Sequence, residues 1–108
     1  MVPGAPALDA PLGDGHAAPW LLRRVASHGF TALVFGDAAT ALALRQQPQG
    51  AVAVNVLELP AQGVAAERYD AQGGTVYLLR PDQHVCARWR RATPARVQAA
   101  MQRALALN

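Results

Sequence analysis

Val76–Arg90 reads VYLLRPDQHVCARWR, and its pattern predicts two short strands joined by a tight turn. The first four residues are β-branched, aromatic or aliphatic, as in a half-buried strand. The turn is predicted at Pro81-Asp82-Gln83, because proline presets φ and aspartate can bond to its own backbone. Beyond the turn an apolar face alternates with an arginine-bearing face; the first holds Val85, Ala87 and Trp89, and the second holds Cys86, Arg88 and Arg90. The pattern therefore predicts an antiparallel hairpin.

Two more strands are predicted upstream of the hairpin. Phe30–Phe35 is short and almost entirely apolar, which is typical of a strand covered on both faces. Ala51–Leu57 has the same character and is predicted to be a second buried strand. Between them, Asp37 is a strong N-cap for a helix that ends near Gln47, before Pro48. Strand, helix and strand over so short a span predict parallel strands with a right-handed crossover.

The remaining segments predict two further helices and two less regular regions. An apolar stripe and the stop signal of Gly29 predict a helix at about Pro19–His28. Glu58–Gly74 has weak periodicity and predicts a loop with one helical turn. Thr93 is expected to cap a final helix. Its apolar positions follow helical spacing, and they are Val97, Ala100, Met101, Ala104 and Leu105.

This order of elements predicts an α/β fold with thioredoxin-like connectivity, a βαβ unit followed by ββα. The four-stranded mixed sheet should have the order 2-1-3-4, with the third strand antiparallel to the others and an extra helix at the N-terminal side. Residues 1–15 are rich in proline and glycine and are expected to form an extended lead-in or linker. Residues 16–108 are expected to form a single domain.

Composition excludes several classes of protein. Hydrophobic residues make up 52% of the chain, which indicates a globular protein. No apolar run approaches the ~20 residues that cross a bilayer, and no signal-peptide pattern is present. A single cysteine excludes an internal disulfide, so a reducing cytoplasm is the expected compartment. A net charge of +3 with scattered arginines favours a solvated arginine face over a nucleic-acid surface.

Residues that could carry chemistry are sparse. A thioredoxin holds its Cys-x-x-Cys where the first strand meets the first helix, but that position here reads Gly36–Ala39, GDAA. Cys86 lies inside a predicted strand, where a packing role is more typical than a reactive thiol. His16, His28 and His84 lack the spacing of metal ligands. With no dinucleotide fingerprint and no phosphate-binding loop, the sequence predicts no catalytic, cofactor-binding or metal-binding residue.

A family resemblance rests mainly on the hairpin. Tyr77–Arg90, YLLRPDQHVCARWR, resembles the closing hairpin of the C-terminal domain of FAD-dependent aromatic-ring hydroxylases. These are flavoprotein monooxygenases of the phenol hydroxylase and 3-(3-hydroxyphenyl)propionate hydroxylase type. Pro3–Pro6 resembles the start of that domain, although the arginine often found there has no counterpart, and Phe30–Asp37 is similar to its first strand.

The resemblance implies a thioredoxin-like C-terminal domain that follows FAD and substrate domains in the same chain and lacks redox cysteines. It implies a structural or oligomerisation role in an NAD(P)H- and O2-dependent monooxygenase. FAD and NAD(P)H would belong to the parent enzyme, and neither would bind to these residues. The expected partners are the upstream domains and further copies in a homo-oligomer. The alternatives are a stand-alone thioredoxin-like binding module without redox activity and a one-cysteine redox protein that uses Cys86.

Arg88 and Arg90 are the candidate interface residues. In the predicted sheet order their strand is an edge, and its unpaired backbone groups need cover. Arginine is favoured at interfaces because its planar fork pairs with carboxylates and stacks on aromatic rings. The arginine face of the hairpin is therefore expected to meet a neighbouring domain or a second copy.

Overall fold

Four strands, β1 (Phe30–Phe35), β2 (Val54–Leu59), β3 (Val76–Leu79) and β4 (Val85–Trp89), form one mixed sheet in the order β2-β1-β3-β4. β1 pairs in parallel with β2 and antiparallel with β3, which pairs antiparallel with β4. The computed structural model describes residues 2–13, 19–26, 28–46, 48 and 50–106. The predicted α/β class, the sheet order and the antiparallel third strand are confirmed.

The helices are α1 (Leu21–Arg24), α2 (Ala38–Arg45), α3 (Val64–Arg68) and α4 (Pro94–Ala106). α2 begins at the predicted cap, Asp37, and α4 begins after Thr93, whose hydroxyl accepts a hydrogen bond from the Arg96 amide at 3.2 Å. α3 is the single helical turn predicted in the loop before the hairpin.

The sheet separates two hydrophobic layers, and β1 is buried at every position, as predicted. Phe30, Ala32 and Val34 face the layer that contains α2 and α4. Leu33 and Phe35 face the other layer, which contains α1, α3 and part of the lead-in. Burial on both faces is what a central strand of nearly continuous apolar residues requires.

The second strand differs from its prediction in position and in burial. β2 begins at Val54 instead of Ala51, and its residues are mostly half-exposed or exposed because it lies at the edge of the sheet. The later start has a local cause. The side-chain amide of Gln98 on α4 accepts from the Val52 amide at 2.9 Å and donates to its carbonyl at 2.7 Å, so this backbone is already paired.

The N-terminal helix is shorter than predicted. Its prediction spanned Pro19–His28, whereas α1 spans only Leu21–Arg24. The Pro19 carbonyl accepts a hydrogen bond from the Leu12 amide at 2.9 Å, and Trp20 forms a β-bridge with Pro11. This pairing explains why α1 begins after Trp20, and it was not visible in the helical stripe. At the other end, Val25 has an extended backbone with φ −75° and ψ 130°, so the helix ends at Arg24.

Candidate interface at the edge of the sheet

The lead-in covers the half of β4 that lies next to the hairpin turn. The Gly4 amide donates to the Val85 carbonyl at 2.7 Å, and the Val85 amide donates to the Ala5 carbonyl at 2.8 Å. The Ala7 amide donates to the Gln83 carbonyl at 2.8 Å. The prediction of an edge strand with unpaired backbone groups is therefore wrong for this half of β4.

Of two buried tyrosines, Tyr69 binds the lead-in directly and Tyr77 supports Tyr69. The Tyr69 hydroxyl donates to the Leu8 carbonyl at 2.6 Å, and the Tyr77 hydroxyl donates to the Tyr69 carbonyl at 2.5 Å. Their rings meet edge to face with centroids 4.9 Å apart. Burial raises the pKa of both phenols, so each hydroxyl keeps its proton and remains a donor at neutral pH.

The described part of the lead-in, residues 2–13, is extended as predicted and lies against the domain, with Ala7 and Ala10 in the core. Its alternative interpretation as a free linker did not anticipate this packing. The division of the chain at residue 15 stays a prediction.

The other half of the edge, Ala87–Trp89, pairs on one side only. β3 is its partner there, and the described residues provide no second partner strand for its outer edge. An open edge of this kind is a ready template for another chain or domain.

A β-bulge changes which side chains share a face of the hairpin. Leu79 pairs with Val85 and Leu78 pairs with Ala87, so β4 has one extra residue, Cys86, between these two pairs. Val85 therefore belongs to the tyrosine layer, while Cys86 packs with Ala87 on the side of α4. The predicted alternation is wrong at these positions, because an extra residue shifts the period of two.

The final helix also covers the hairpin less fully than predicted. Val97 and Met101 are buried beneath β4, but Leu105 is 51% exposed. Trp89 is only half-buried. It packs at the margin of the α4 layer and not at its centre.

Arg88 is held in place by its neighbours on the open half of the edge. Its guanidinium lies over the Tyr77 ring, 5.4 Å from the centroid. It donates to the Asp70 carbonyl at 3.3 Å, and its Nη2 atom lies 3.6 Å from the Asp70 carboxylate. Cation–π stacking and a carbonyl acceptor together restrict a side chain that is otherwise free to rotate.

The structure brings Arg88 and Arg90 to one groove of about 240 Å³ and adds Arg91, which was not among the candidate residues. β4 ends at Trp89. Because the strand's alternation stops there, adjacent arginines can line the same groove. The cluster of arginines in the sequence was the only signal for Arg91. Gly74 stands opposite them at φ +98°, where an added Cβ would lie 3.2 Å from the Arg90 carbonyl oxygen. A side chain at this position would be strained as well as crowded.

The start of α2, where a thioredoxin carries its thiols, contains a cap. Asp37 accepts hydrogen bonds from the Thr40 amide at 3.0 Å and from the Thr40 hydroxyl at 2.7 Å. The hydroxyl bond is the main cause that lowers the pKa of Asp37, and the amide bond and the charge of Arg91 add to it. The N-cap interpretation is confirmed.

Cys86 and the histidines form no shared site among the described residues. Cys86 is half-buried, and burial raises the pKa of its thiol, which opposes reactivity at neutral pH. His84 lies on the exposed hairpin turn, with Nδ1 3.4 Å from the Asp82 carboxylate. His28 is exposed next to β1, and His16 lies outside the described residues. Within the described ranges there is no group of three or more side chains that could hold a metal ion.

None of the described helices is both long and apolar enough to cross a bilayer.

Comparison with known proteins gives agreement in fold. No family model and no curated protein matches the sequence. The flavin-dependent monooxygenase PieE, solved in complex with FAD and substrate, superposes with a TM-score of 0.71 and 24% identity over 98% of this chain. Aklavinone-11 hydroxylase, solved in a ternary complex with FAD and aklavinone, gives a TM-score of 0.62 and 20% identity over 96% of this chain. The chain spans 20% and 21% of the length of these two proteins. The resemblance seen in the hairpin is thus confirmed at the level of the fold.

Proposed function

We propose that this chain is the C-terminal structural domain of a cytoplasmic FAD-dependent monooxygenase that hydroxylates aromatic rings with NAD(P)H and O2. The superposition of 98% of the chain on one fifth of such an enzyme carries the proposal. The hairpin sequence supports the same assignment independently. FAD and NAD(P)H would bind to the parent enzyme, outside these residues.

The described side chains favour a packing role over a catalytic one. The acidic and hydroxyl groups that could take part in catalysis already serve the fold. Asp37 caps α2, and the Tyr69 and Tyr77 hydroxyls donate to backbone carbonyls. The thiol of Cys86 is half-buried with a raised pKa. A one-cysteine redox function therefore has less support than a domain that contributes surface to a larger enzyme.

The open half of β4 with its arginine groove is the surface that we assign to this packing. Ala87–Trp89 offers unpaired backbone groups, and Arg88 is already ordered by Tyr77 and Asp70. An ordered side chain loses less entropy when a partner binds. Three arginines around one groove favour a partner that carries carboxylates. The upstream FAD and substrate domains, or a second copy in a homo-oligomer, are the proposed neighbours.

The test uses the native-length gene product that contains this sequence. It should purify with stoichiometric flavin, whereas the 108-residue chain mixed with FAD and desalted should retain none. A native-length protein without flavin would contradict the assignment to this family. Flavin retained by the 108-residue chain would contradict the absence of a cofactor site.

The interface is tested by reversing two charges. Arg88→Glu with Arg90→Glu should leave flavin content unchanged, but lower the oligomer mass in light scattering or increase the proteolysis of the domain junction. Arg23→Glu with Arg24→Glu is the matched control, because it changes the net charge equally on exposed residues of α1. Unchanged mass and proteolysis in the first variant would rule out this surface.

A further inference from the structure

A second cavity lies at the end of the sheet opposite the arginine groove. It has a volume of about 560 Å³ and lies between the C-terminal part of α4 and the hairpin turn. Its apolar lining includes Phe30 on β1 and Ala100, Ala104 and Leu105 on α4. Cavities of about 300–1,000 Å³ with apolar walls and few polar groups are typical of small-molecule sites.

Among the described residues, the polar groups of this cavity leave one positive charge without an ion-pair partner. Arg80 is paired with Asp82, and its Nε donates to the carboxylate at 3.1 Å, so this pair is close to neutral. Arg103 lines the same cavity and forms no ion pair with any other described residue. The charges of Arg80 and Arg103 both act on the Cys86 thiol, where they oppose the larger effect of burial on its pKa. Arg80, Cys86 and Arg103 all line this cavity.

Leu105 adds an exposed apolar side chain to the lining. It occupies an apolar position of α4 that was predicted to cover the hairpin, yet it is 51% exposed and lines the cavity. An apolar side chain beside a guanidinium that forms no ion pair with the described residues suits a ligand with a hydrocarbon part and a single negative charge.

We propose that this cavity binds a small apolar carboxylate, with its hydrocarbon part against Phe30 and α4 and its carboxylate paired with Arg103. The guanidinium can bind both oxygens of a carboxylate in one plane. A strongly hydrated inorganic anion would gain nothing from the apolar walls. The site is independent of the proposed interface, since it lies at the other end of β4.

Cys86 provides a built-in reporter, because it is the only cysteine in the chain and lines the cavity. The probe is octanoate, and the reagent is uncharged N-ethylmaleimide. Octanoate should slow the alkylation of Cys86 in proportion to its occupancy, and titration calorimetry should give the same Kd. Octanamide, which has the same chain without the charge, should protect much less. Alkylation at an unchanged rate in saturating octanoate would overturn the proposal.

Three variants distinguish the loss of the Arg103 charge from a loss of folding. Arg103→Gln should weaken octanoate binding about tenfold, as expected for the loss of one charge-assisted contact. Leu105→Asp should abolish binding by removing the apolar rim. Arg96→Gln is the matched control on the same helix, and it should leave the Kd unchanged. All three positions are exposed, and thermal unfolding checks that the variants are folded. Equal affinity in Arg103→Gln and the unaltered protein would contradict the assigned pairing.

Discussion

The two ends of β4 differ in whether the outer edge of the strand is covered. Near the turn, two backbone hydrogen bonds join Gly4 and Ala5 to Val85 of the strand, and a third joins Ala7 to Gln83 in the turn. The Tyr69 hydroxyl holds the lead-in through the Leu8 carbonyl. Past the bulge, Ala87–Trp89 has no second partner strand among the described residues, and arginines flank it. One strand therefore contains a half that the lead-in covers and a half whose outer edge stays open among the described residues.

The difference between the two halves shows that alternation in the sequence of an edge strand does not predict which residues share a face or which part of the edge is covered. The period of two predicted Val85, Ala87 and Trp89 on one face, yet the bulge opposite Leu78 and Leu79 puts Val85 and Ala87 on opposite faces. What distinguishes the halves is the long-range contact with residues 4–8, and this contact has no local signature in the hairpin.

The largest expected effect compares the aromatic residues of the two ends. Tyr69 is fully buried, with ring centroids 5.8 Å from Phe35 and 4.9 Å from Tyr77, whereas Trp89 is half-buried. Tyr69→Ala should lower the free energy of unfolding by about 3–5 kcal/mol, as for other buried aromatics. Trp89→Ala should cost about 1–2 kcal/mol, because less of its surface leaves water on folding.

Urea unfolding of both variants measures this difference. Tyr69→Phe is the control that keeps the ring and removes only the hydrogen bond to Leu8. Equal losses in Tyr69→Ala and Trp89→Ala would show that the covered end is no more tightly built than the open end.

The second prediction concerns a truncation that uncovers the end of β4 near the turn, so that both ends of the strand are open. A chain that begins at Asp9 lacks the two backbone bonds to Val85 of β4, the bond from Ala7 to Gln83 in the turn, and the acceptor of the Tyr69 hydroxyl. At about 1 kcal/mol for each of these bonds, the free energy of unfolding should fall by about 3–4 kcal/mol. The exposed edge should also make the protein associate in a concentration-dependent manner, which sedimentation velocity detects.

The control for this truncation removes only residues 1–3, which leaves the pairing of Gly4 and Ala5 with Val85 in place. It should remain close to the full chain in stability and in mass. If the longer truncation stays equally stable and monomeric, the lead-in does not protect the edge.

The sequence predicts well what depends on neighbouring residues. Local apolar runs, caps and turns gave β1, both C-terminal strands, the caps of α2 and α4 and the order of the sheet. Features that depend on distant pairing were missed. Gln98 on α4 pairs with the Val52 backbone before the start of β2, and the lead-in delays the start of α1 by pairing with Pro19.

In the candidate site, too, features set by neighbouring residues were predicted and features set by distant contacts were missed. Arg88 and Arg90 were identified from alternation, and the structure places both at one groove. The support of Arg88 by Tyr77 and Asp70 depends on how the chain folds back, as does the coverage of half the edge. The cavity beside Cys86 joins residues from the start of β1, the hairpin turn, β4 and α4, and no motif marks it.

The smallest expected effect concerns Asp37, near the arginines of the open end. Since its pKa is lowered in the folded state, its charge stabilises the fold above its unfolded pKa of about 4, and this contribution is lost as pH falls through the folded pKa. Asp37→Asn should therefore cost about 0.5–1 kcal/mol near neutral pH, since asparagine still caps, and the gap should close in acid. Thr40→Val removes the largest cause of the lowered pKa, so it should raise the Asp37 pKa in an NMR titration more than Arg91→Gln does. A stability gap between Asp37→Asn and the unaltered protein that stays constant into strong acid would show that the carboxylate charge makes no contribution at this end of the sheet.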